Sequence, residues 1–194
     1  MHAVVSFLDD EHNRRVEEIW SELEDEFGMR GIYKTPHPHI SYQVAEEYNT
    51  QELEKRLEGL ARSHDKFKVR AKGVDVFTVS DPVVYVPVVL NPQLDAFHDN
   101  VWRETKKVGS GFVDYYRPEE WVPHVTLAQH DVHNYDLPDI VEFLERKKID
   151  WELGIDNIGY IQDLGNGKQE VRFSILIRDI HVGAEEHREN SGEL

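Results

Sequence analysis

The feature of this sequence that most restricts its fold is a repeat of architecture, because one order of predicted elements occurs twice. Apolar periodicity predicts strand, helix, strand, helix and strand over residues 4–79, and the same order over residues 83–161. Alternating strands and helices favour sheets that are covered by helices. We therefore expect an α+β fold with a bilobal, duplicated strand-helix-strand-helix-strand unit, in which two antiparallel sheets face a central cleft and the helices lie outside. The halves, about 1–80 and 81–182, should form a single two-lobed domain over 1–182.

Composition and charge exclude several classes of protein. The 194 residues contain no cysteine, which rules out disulfides, thiolate nucleophiles and cysteine-ligated metals. No apolar run reaches the roughly 18–20 residues of a membrane span, so we expect a cytoplasmic monomer that does not bind membranes. The formal net charge of −16 argues against binding of long duplex nucleic acid, which uses clustered Lys and Arg. Residues 183–194 are polar and acidic and are expected to form a flexible tail.

A five-residue motif, Pro-His-aliphatic-hydroxyl-apolar, occurs once in each half. Its two copies are residues 38–42 and 123–127. Side chains alternate between the faces of a strand, so His39 and Ser41 should share one face, as should His124 and Thr126. The apolar residues between them then point to the other face, towards the helices. The repeat therefore predicts that an imidazole and a hydroxyl from each half meet in the cleft.

Two opposed imidazoles suit the hydrolysis of a phosphodiester. One ring can accept a proton from the attacking oxygen while the other donates a proton to the leaving oxygen, and neither a metal nor another cofactor is needed. The ordinary imidazole pKa of about 6.5 allows both protonation states near neutrality, so a bell-shaped rate profile at about pH 6–8 is expected. On this interpretation His39 and His124 are catalytic, and the hydroxyls of Ser41 and Thr126 bind the phosphate.

The duplicated His-x-Ser/Thr motif resembles that of the 2H phosphoesterase superfamily, which includes 2'-5' RNA ligases and RNA 2',3'-cyclic phosphodiesterases. The resemblance covers residues 2–180, and the two family motifs match residues 39–41 and 124–126. It implies a bilobal fold around a cleft and a metal-independent cyclic phosphodiesterase activity. Some members of the family also catalyse the reversible 2'-5' ligation of RNA ends. It also implies that in hydrolysis His124 is the base that activates water and His39 is the acid, with the roles exchanged in the reverse reaction.

The expected partner is a nucleotide or an RNA end. RNA-acting members of the family often carry a basic residue just after the second motif, whereas residues 127–130 of this chain read Leu-Ala-Gln-His. This departure leaves a mononucleotide, a dinucleotide or another small cyclic phosphate open as the substrate. Four aromatic residues near the motifs are candidates for base stacking or for lining the cleft, with packing as the alternative role. They are Tyr33, Tyr115, Tyr116 and Trp121.

Other functions fit the same motifs. A cleft with these residues is also compatible with a nucleotide- or phosphate-binding module without turnover, or with a reversible 2'-5' RNA ligase. A metal-dependent hydrolase is a further alternative, with His37, His39, His130 and acidic neighbours as ligands. Turnover of cyclic nucleotides in the presence of a chelator separates hydrolysis without a metal from these alternatives.

Overall fold

The computed structural model describes residues 1–78, 80–165 and 167–178, and within them the chain forms four α-helices. These are α1 (Asp10–Phe27), α2 (Thr50–Ser63), α3 (Pro92–Thr105) and α4 (Leu137–Glu145). The side chains of Asp9, Asn49 and Asn91 accept hydrogen bonds from backbone N–H groups in the first turns of α1, α2 and α3, which fixes where these helices begin. None of the four helices is long and apolar enough to span a membrane.

Ten β-strands in the described part of the chain form two antiparallel sheets. The strands are β1 (His2–Phe7), β2 (His39–Tyr48), β3 (Phe67–Lys72), β4 (Asp75–Phe77), β5 (Val83–Pro87), β6 (Gly109–Phe112), β7 (His124–Ala128), β8 (Asp150–Ile155), β9 (Asn157–Asp163) and β10 (Gln169–Leu176). Eight of them form the large sheet, in the order β10-β9-β1-β2-β7-β5-β4 with β6 also paired to β2, and β3 pairs with β8 in a small second sheet. The expected α+β class with antiparallel sheets is confirmed.

Each of the two sheets contains strands from both halves of the sequence. The β9–β10 hairpin comes from the second half and extends the sheet next to β1, while β4 comes from the first half and pairs with β5. β2 and β7 join the two parts of the large sheet through a single residue pair, Ile40 and Val125. The arrangement thus differs from two separate sheets across a cleft, because the two motif strands lie side by side within one sheet. The predicted acidic tail, residues 183–194, lies outside the described residues.

One face of the large sheet is buried. Ile40 and Tyr42 on β2, and Val125 and Leu127 on β7, are fully buried on this face. The helices cross between the halves, since α1 packs on β7 and α3 packs on β2. Apolar residues from both sheets and all four helices form a single core. This packing holds the two motif strands together and leaves the motif histidines and hydroxyls on the opposite face.

A close contact between Gly31 and the loop after β7 leads to a prediction about stability. Gly31 begins a short 3-10 helix, Gly31–Lys34, and a Cβ added to it would lie 2.2 Å from the carbonyl oxygen of Gln129. The Gly31 N–H also donates to the Asp131 carboxylate over 2.6 Å, so the two segments cannot separate without losing this bond. Gly31→Ala should therefore lower the free energy of unfolding by about 1–3 kcal/mol, measured by chemical denaturation.

Gly59→Ala provides the matched control for this substitution. Gly59 lies within α2, and a Cβ at this position meets nothing within 4 Å. Alanine is favoured over glycine inside a helix, so the control should be neutral or stabilised by about 0.5–1 kcal/mol. If the Gly31 and Gly59 variants were equally stable, the contact between the 3-10 helix and the loop would not be as tight as described.

Candidate active site

The four motif side chains lie on the open face of the large sheet, where β2 and β7 meet. The central apolar residues of the two motifs pair in an antiparallel register, which sets His39 next to Thr126 and Ser41 next to His124. The two histidines are then diagonal neighbours, for which a spacing of about 7–8 Å between Cα atoms is typical. This spacing leaves room for one phosphate group between the two rings.

A cavity of about 430 Å³ opens on this face. Its lining includes His39, Ser41, His124 and Thr126, together with His130 from the loop after β7. A cavity of this volume is in the range that accommodates small-molecule ligands. The imidazole and hydroxyl groups from both halves of the chain therefore share one cavity.

Both motif imidazoles are held in the same way. The Nδ1–H of His39 donates to the carbonyl oxygen of His37 over 2.8 Å, and the Nδ1–H of His124 donates to that of Val122 over 2.7 Å. A carbonyl oxygen can only accept, so Nδ1 carries the proton in each neutral ring and Nε2 keeps its lone pair. Each ring therefore offers Nε2 as a base when it is neutral and as an acid when it is protonated.

Burial disfavours the charged form of both rings. Burial lowers the pKa of His39 to about 4, and the positive charge of a protonated His124 contributes to this decrease. Burial also lowers the pKa of His124, against the opposing effect of its hydrogen bond to the Val122 carbonyl. The two rings therefore resist double protonation, because a proton on His124 disfavours a proton on His39.

Two indole groups anchor the backbone of the motif strands. Trp121 donates its Nε1–H to the carbonyl oxygen of Ser41 over 2.9 Å, and Trp20 on α1 donates to that of Thr126 over 3.3 Å. His98 on α3 stacks on Trp121, with ring centroids 3.8 Å apart and planes within 4° of each other. Each hydroxyl-bearing residue is thus fixed through its own carbonyl, which restricts where its side chain can point.

The four aromatic candidates occupy different positions. Tyr115 and Tyr116 line the cavity, and Tyr115 stands at its rim with 72% of its surface exposed. Burial raises the pKa of Tyr116, whose hydroxyl lies close to the Ser41 side chain. Tyr33 is exposed outside the cavity lining, and Trp121 is buried in the core, where it has the packing role. Tyr115 and Tyr116 are therefore the two of this set that are placed to contact a ligand.

Sequence reasoning missed several residues that support the site. Phe77 and Tyr85 contact the ring of His124, with centroid distances of 5.1 and 5.2 Å. Trp20 and His98 reach the motif strands from α1 and α3. Helical periodicity marks such positions only as facing the core. It does not show which strand a buried side chain will meet, because this depends on how the helices cross.

The histidines of the alternative metal site do not converge. Among the residues that the structure describes, no group of three or more His, Asp or Glu side chains is placed to hold a metal ion. Of the three histidines in that alternative, His37 packs edge-on against Phe7 and does not line the cavity. His39 and His130 both line it.

Sequence comparison finds relatives that align with most of this chain. The family model described as "2'-5' RNA ligase superfamily" matches residues 8–167. A protein of Bacillus cytotoxicus named "Putative phosphoesterase" is 27% identical over 147 residues, which cover 72% of this chain and 80% of the relative. A Geobacillus protein described in the same words is 22% identical over 143 residues, covering 72% of this chain and 78% of the relative.

Two crystal structures have a similar fold. TT0787 of Thermus thermophilus superposes with a TM-score of 0.62 at 16% identity, over 93% of this chain and 99% of that protein. A second structure, of a phosphoesterase, superposes with a TM-score of 0.55 at 13% identity, over 92% of this chain and 98% of that one. At these identities the superpositions show the fold alone. Since the family model spans both histidine motifs and most of the chain, the protein belongs to the 2'-5' RNA ligase superfamily of 2H phosphoesterases.

Proposed function

We propose that this protein hydrolyses a cyclic or 2'-linked phosphodiester by acid-base catalysis with His39 and His124, without a metal. The observation that carries the proposal is the shared cavity, in which two imidazoles with identically held Nδ1 atoms stand beside two hydroxyls. Membership of a phosphoesterase superfamily supports the same chemistry. The substrate that best fits such a pair is a 2',3'-cyclic phosphate of a nucleotide or of an RNA end.

The two rings divide the proton transfers between them. Water attacks phosphorus and forms a new P–O bond, while Nε2 of His124 takes one proton from the water. The bond from phosphorus to one ribose oxygen breaks, and the Nε2–H of His39 donates its proton to that oxygen. The products are a phosphomonoester and a ribose hydroxyl, and proton exchange with solvent restores both rings. In the reverse direction the two rings exchange roles.

The hydroxyls of Ser41 and Thr126 stabilise the charge that develops on the phosphate. Each lies beside the histidine of the other motif, so both can donate hydrogen bonds to the non-bridging oxygens of a phosphate held between the rings. Tyr116 remains protonated because burial raises its pKa, and its hydroxyl lies close enough to Ser41 to orient that donor. The hydroxyls thus donate neutral hydrogen bonds to the phosphate, while the histidines take a proton from the water and give one to the leaving ribose oxygen.

The low pKa of His39 makes its protonated form a stronger acid than an ordinary imidazolium. Donation to a ribose oxygen is therefore favoured once the proton is present. With a pKa of about 4, roughly one free molecule in 10³ carries this proton at pH 7. A bound phosphodiester adds a negative charge next to both rings, which raises their pKa values and restores the proton in the complex.

Turnover in the presence of EDTA tests the proposal. The purified protein is assayed with a panel of nucleoside 2',3'-cyclic phosphates and 2'-5' dinucleotides, with and without EDTA. We expect hydrolysis at rates that EDTA leaves unchanged within about twofold, because both proton transfers use side chains alone. A metal-dependent phosphodiesterase assayed in parallel must lose its activity under the same chelation.

Two outcomes would contradict this proposal. Loss of activity with EDTA, followed by recovery on addition of a divalent metal, would identify a metal-dependent hydrolase. Tight binding of cyclic nucleotides with no turnover of any member of the panel would identify a binding module.

A further inference from the structure

We propose that one arm of the cavity is a nucleobase site and that the substrate is a single nucleoside 2',3'-cyclic phosphate rather than an RNA end. This inference rests on the proposed function and adds the class of substrate. The arm, which we call the base trough, is formed by Ile161, Ala3 and Val44, with Tyr115 at the rim.

The base trough is a row of three directly paired residues on the open face of the large sheet. Ala3 on β1 pairs with Val44 on β2 and with Ile161 on β9, and all three side chains line the cavity. Paired residues on antiparallel strands lie about 5 Å apart, so the two outer residues are about 10 Å apart. Ile161 is only 1% exposed, whereas Ala3 and Val44 are partly exposed. Ala3 and Val44 therefore supply the open apolar surface on which a flat ring can lie, and Ile161 closes the end of the row.

An irregularity in β2 turns Val44 into this row. The β1–β2 register shifts at one point, because Val4 pairs with Gln43 and the next residue, Val5, pairs with Ser41. The extra residue on β2 is a β-bulge, which reverses the alternation of side chains beyond it. Without the bulge, the alternation that starts at Ser41 would send Gln43 into the cavity. With it, Gln43 is fully buried in the core and Val44 lines the cavity.

The base trough lies at a suitable distance from the phosphate position. Val44 follows Ser41 by three residues along β2, which corresponds to about 10 Å in an extended strand. A ribose ring lies between these positions if its cyclic phosphate is held by Ser41 and its base is over Val44. The N–H of Val113 donates to the carbonyl oxygen of Val44 over 2.9 Å, which holds the segment that carries Tyr115 next to this arm. Tyr115 lines the cavity and is largely exposed, so it is placed to cover the base, and stacking of a base on an aromatic ring is a common mode of recognition.

The charges around the cavity argue against a longer substrate. Of the described residues that line it, none is Lys or Arg, and Glu120 contributes a carboxylate. The amino group of Met1, at the far end of the arm, is paired with Asp163 over 2.8 Å. Each further nucleotide of an RNA chain would add a phosphate close to a protein of net charge −16. Binding of polynucleotides relies on cations that neutralise successive phosphates, and the lining offers only its histidines.

A panel of three substrates tests the class of ligand. It consists of nucleoside 2',3'-cyclic phosphates, glycerol 1,2-cyclic phosphate as a substrate without a base, and a pentanucleotide that ends in a 2',3'-cyclic phosphate. We expect kcat/KM for the nucleosides to exceed that for the glycerol compound by about 5- to 150-fold, the range of base stacking on one aromatic ring. The pentanucleotide should be no better than the mononucleotide. Its kcat/KM should change less than about twofold between 50 and 200 mM salt, whereas three phosphate contacts would cause a loss of about 20-fold.

Substitutions in the base trough separate recognition of the base from catalysis. Tyr115→Ala and Ala3→Leu should lower kcat/KM for the nucleosides at least fivefold, mainly through KM, and leave the glycerol compound within about twofold. Tyr135→Ala is the control for the first, since Tyr135 is 77% exposed and outside the cavity lining. Ala96→Leu is the control for the second, on an exposed position of α3. The Tyr115 variant changes an exposed side chain, so the test remains decisive if Ala3→Leu fails to fold.

The outcomes of this experiment are distinct from failure of the proposed function. Equal kcat/KM for the glycerol and nucleoside substrates, or a tenfold preference for the pentanucleotide with steep salt dependence, would overturn the base trough while hydrolysis stands. If no substrate were turned over, the proposed function would fail, and titration with nucleoside 3'-monophosphates would decide the trough. If the nucleoside 3'-monophosphates bind and Tyr115→Ala weakens their binding at least fivefold, the base trough is supported. If they do not bind, the base trough is overturned.

Discussion

Replacement of either His39 or His124 by alanine is expected to lower kcat/KM for a nucleoside 2',3'-cyclic phosphate by about 10² to 10⁴. Each ring lines the cavity and is held through Nδ1, so each substitution removes one Nε2 that, in the proposed mechanism, moves a proton in the transition state. Positioned acid and base groups commonly contribute this much to a rate. The loss should fall on kcat more than on KM, since the hydroxyls that we propose to hold the phosphate remain.

The double variant provides a stricter test than either single variant. Two rings that move protons in one step act as a unit, so removing both should cost little more than the worse of the single changes. His133→Ala is the matched control, because His133 is exposed, stacks on Tyr135 and does not line the cavity. Multiplicative losses in the double variant, or near-normal turnover by His124→Ala, would show that the two rings do not act together.

The class of fold and the location of the motif residues follow from local patterns in the sequence. The alternation of apolar residues in residues 38–42 and 123–127 separates the buried Ile40 and Val125 from the histidines on the other face. Helix starts also depend on local sequence, since the side chains of Asn49 and Asn91 cap the helices that follow them. These features depend on neighbours within a few residues along the chain, which a sequence displays directly.

The sharing of strands between the halves could not be read from the sequence. An equal order of elements in residues 4–79 and 83–161 suggested that each half keeps its own sheet. The β9–β10 hairpin instead pairs with β1, and β4 pairs with β5, because pairing is chosen by long-range fit between faces and not by position in the repeat. The same limitation applies to the β-bulge that turns Val44 into the cavity, since a bulge is defined by both strands of a pair.

The residues that support the site also could not be predicted from sequence patterns. Trp20 and Trp121 are apolar side chains at positions that predict packing, yet their Nε1–H groups anchor the two hydroxyl residues of the motifs. The packing itself is a weak guide to this role, because most buried tryptophans bond to some acceptor. What distinguishes these two is that each donates to the carbonyl of the hydroxyl residue of one motif. Which motif each tryptophan reaches is apparent only in the folded structure.

The pH dependence of kcat/KM is expected to be bell-shaped with its maximum below pH 6.5. In the proposed mechanism, productive molecules hold one proton on the pair of rings, whichever ring carries it, and the two macroscopic pKa values of the pair bracket the profile. Burial lowers the pKa of His39 to about 4, so a second proton enters only in strong acid. Burial also lowers the pKa of His124, so the single proton is lost below the ordinary imidazole pKa. Above its maximum, kcat/KM should fall by about tenfold per pH unit.

This expectation differs from the range of about pH 6–8 that unperturbed imidazoles would give. Initial rates at low substrate concentration, from pH 4 to 9 at constant ionic strength, measure the profile, with tryptophan fluorescence as the check that the protein stays folded. The profile of kcat should lie at higher pH than that of kcat/KM, because a bound phosphodiester anion raises the pKa of both rings. His133→Ala should leave both profiles in place. A kcat/KM maximum at or above pH 7 would mean that the rings are not shielded from water in the free protein, and that His39 and His124 do not share a single proton in the way their burial implies.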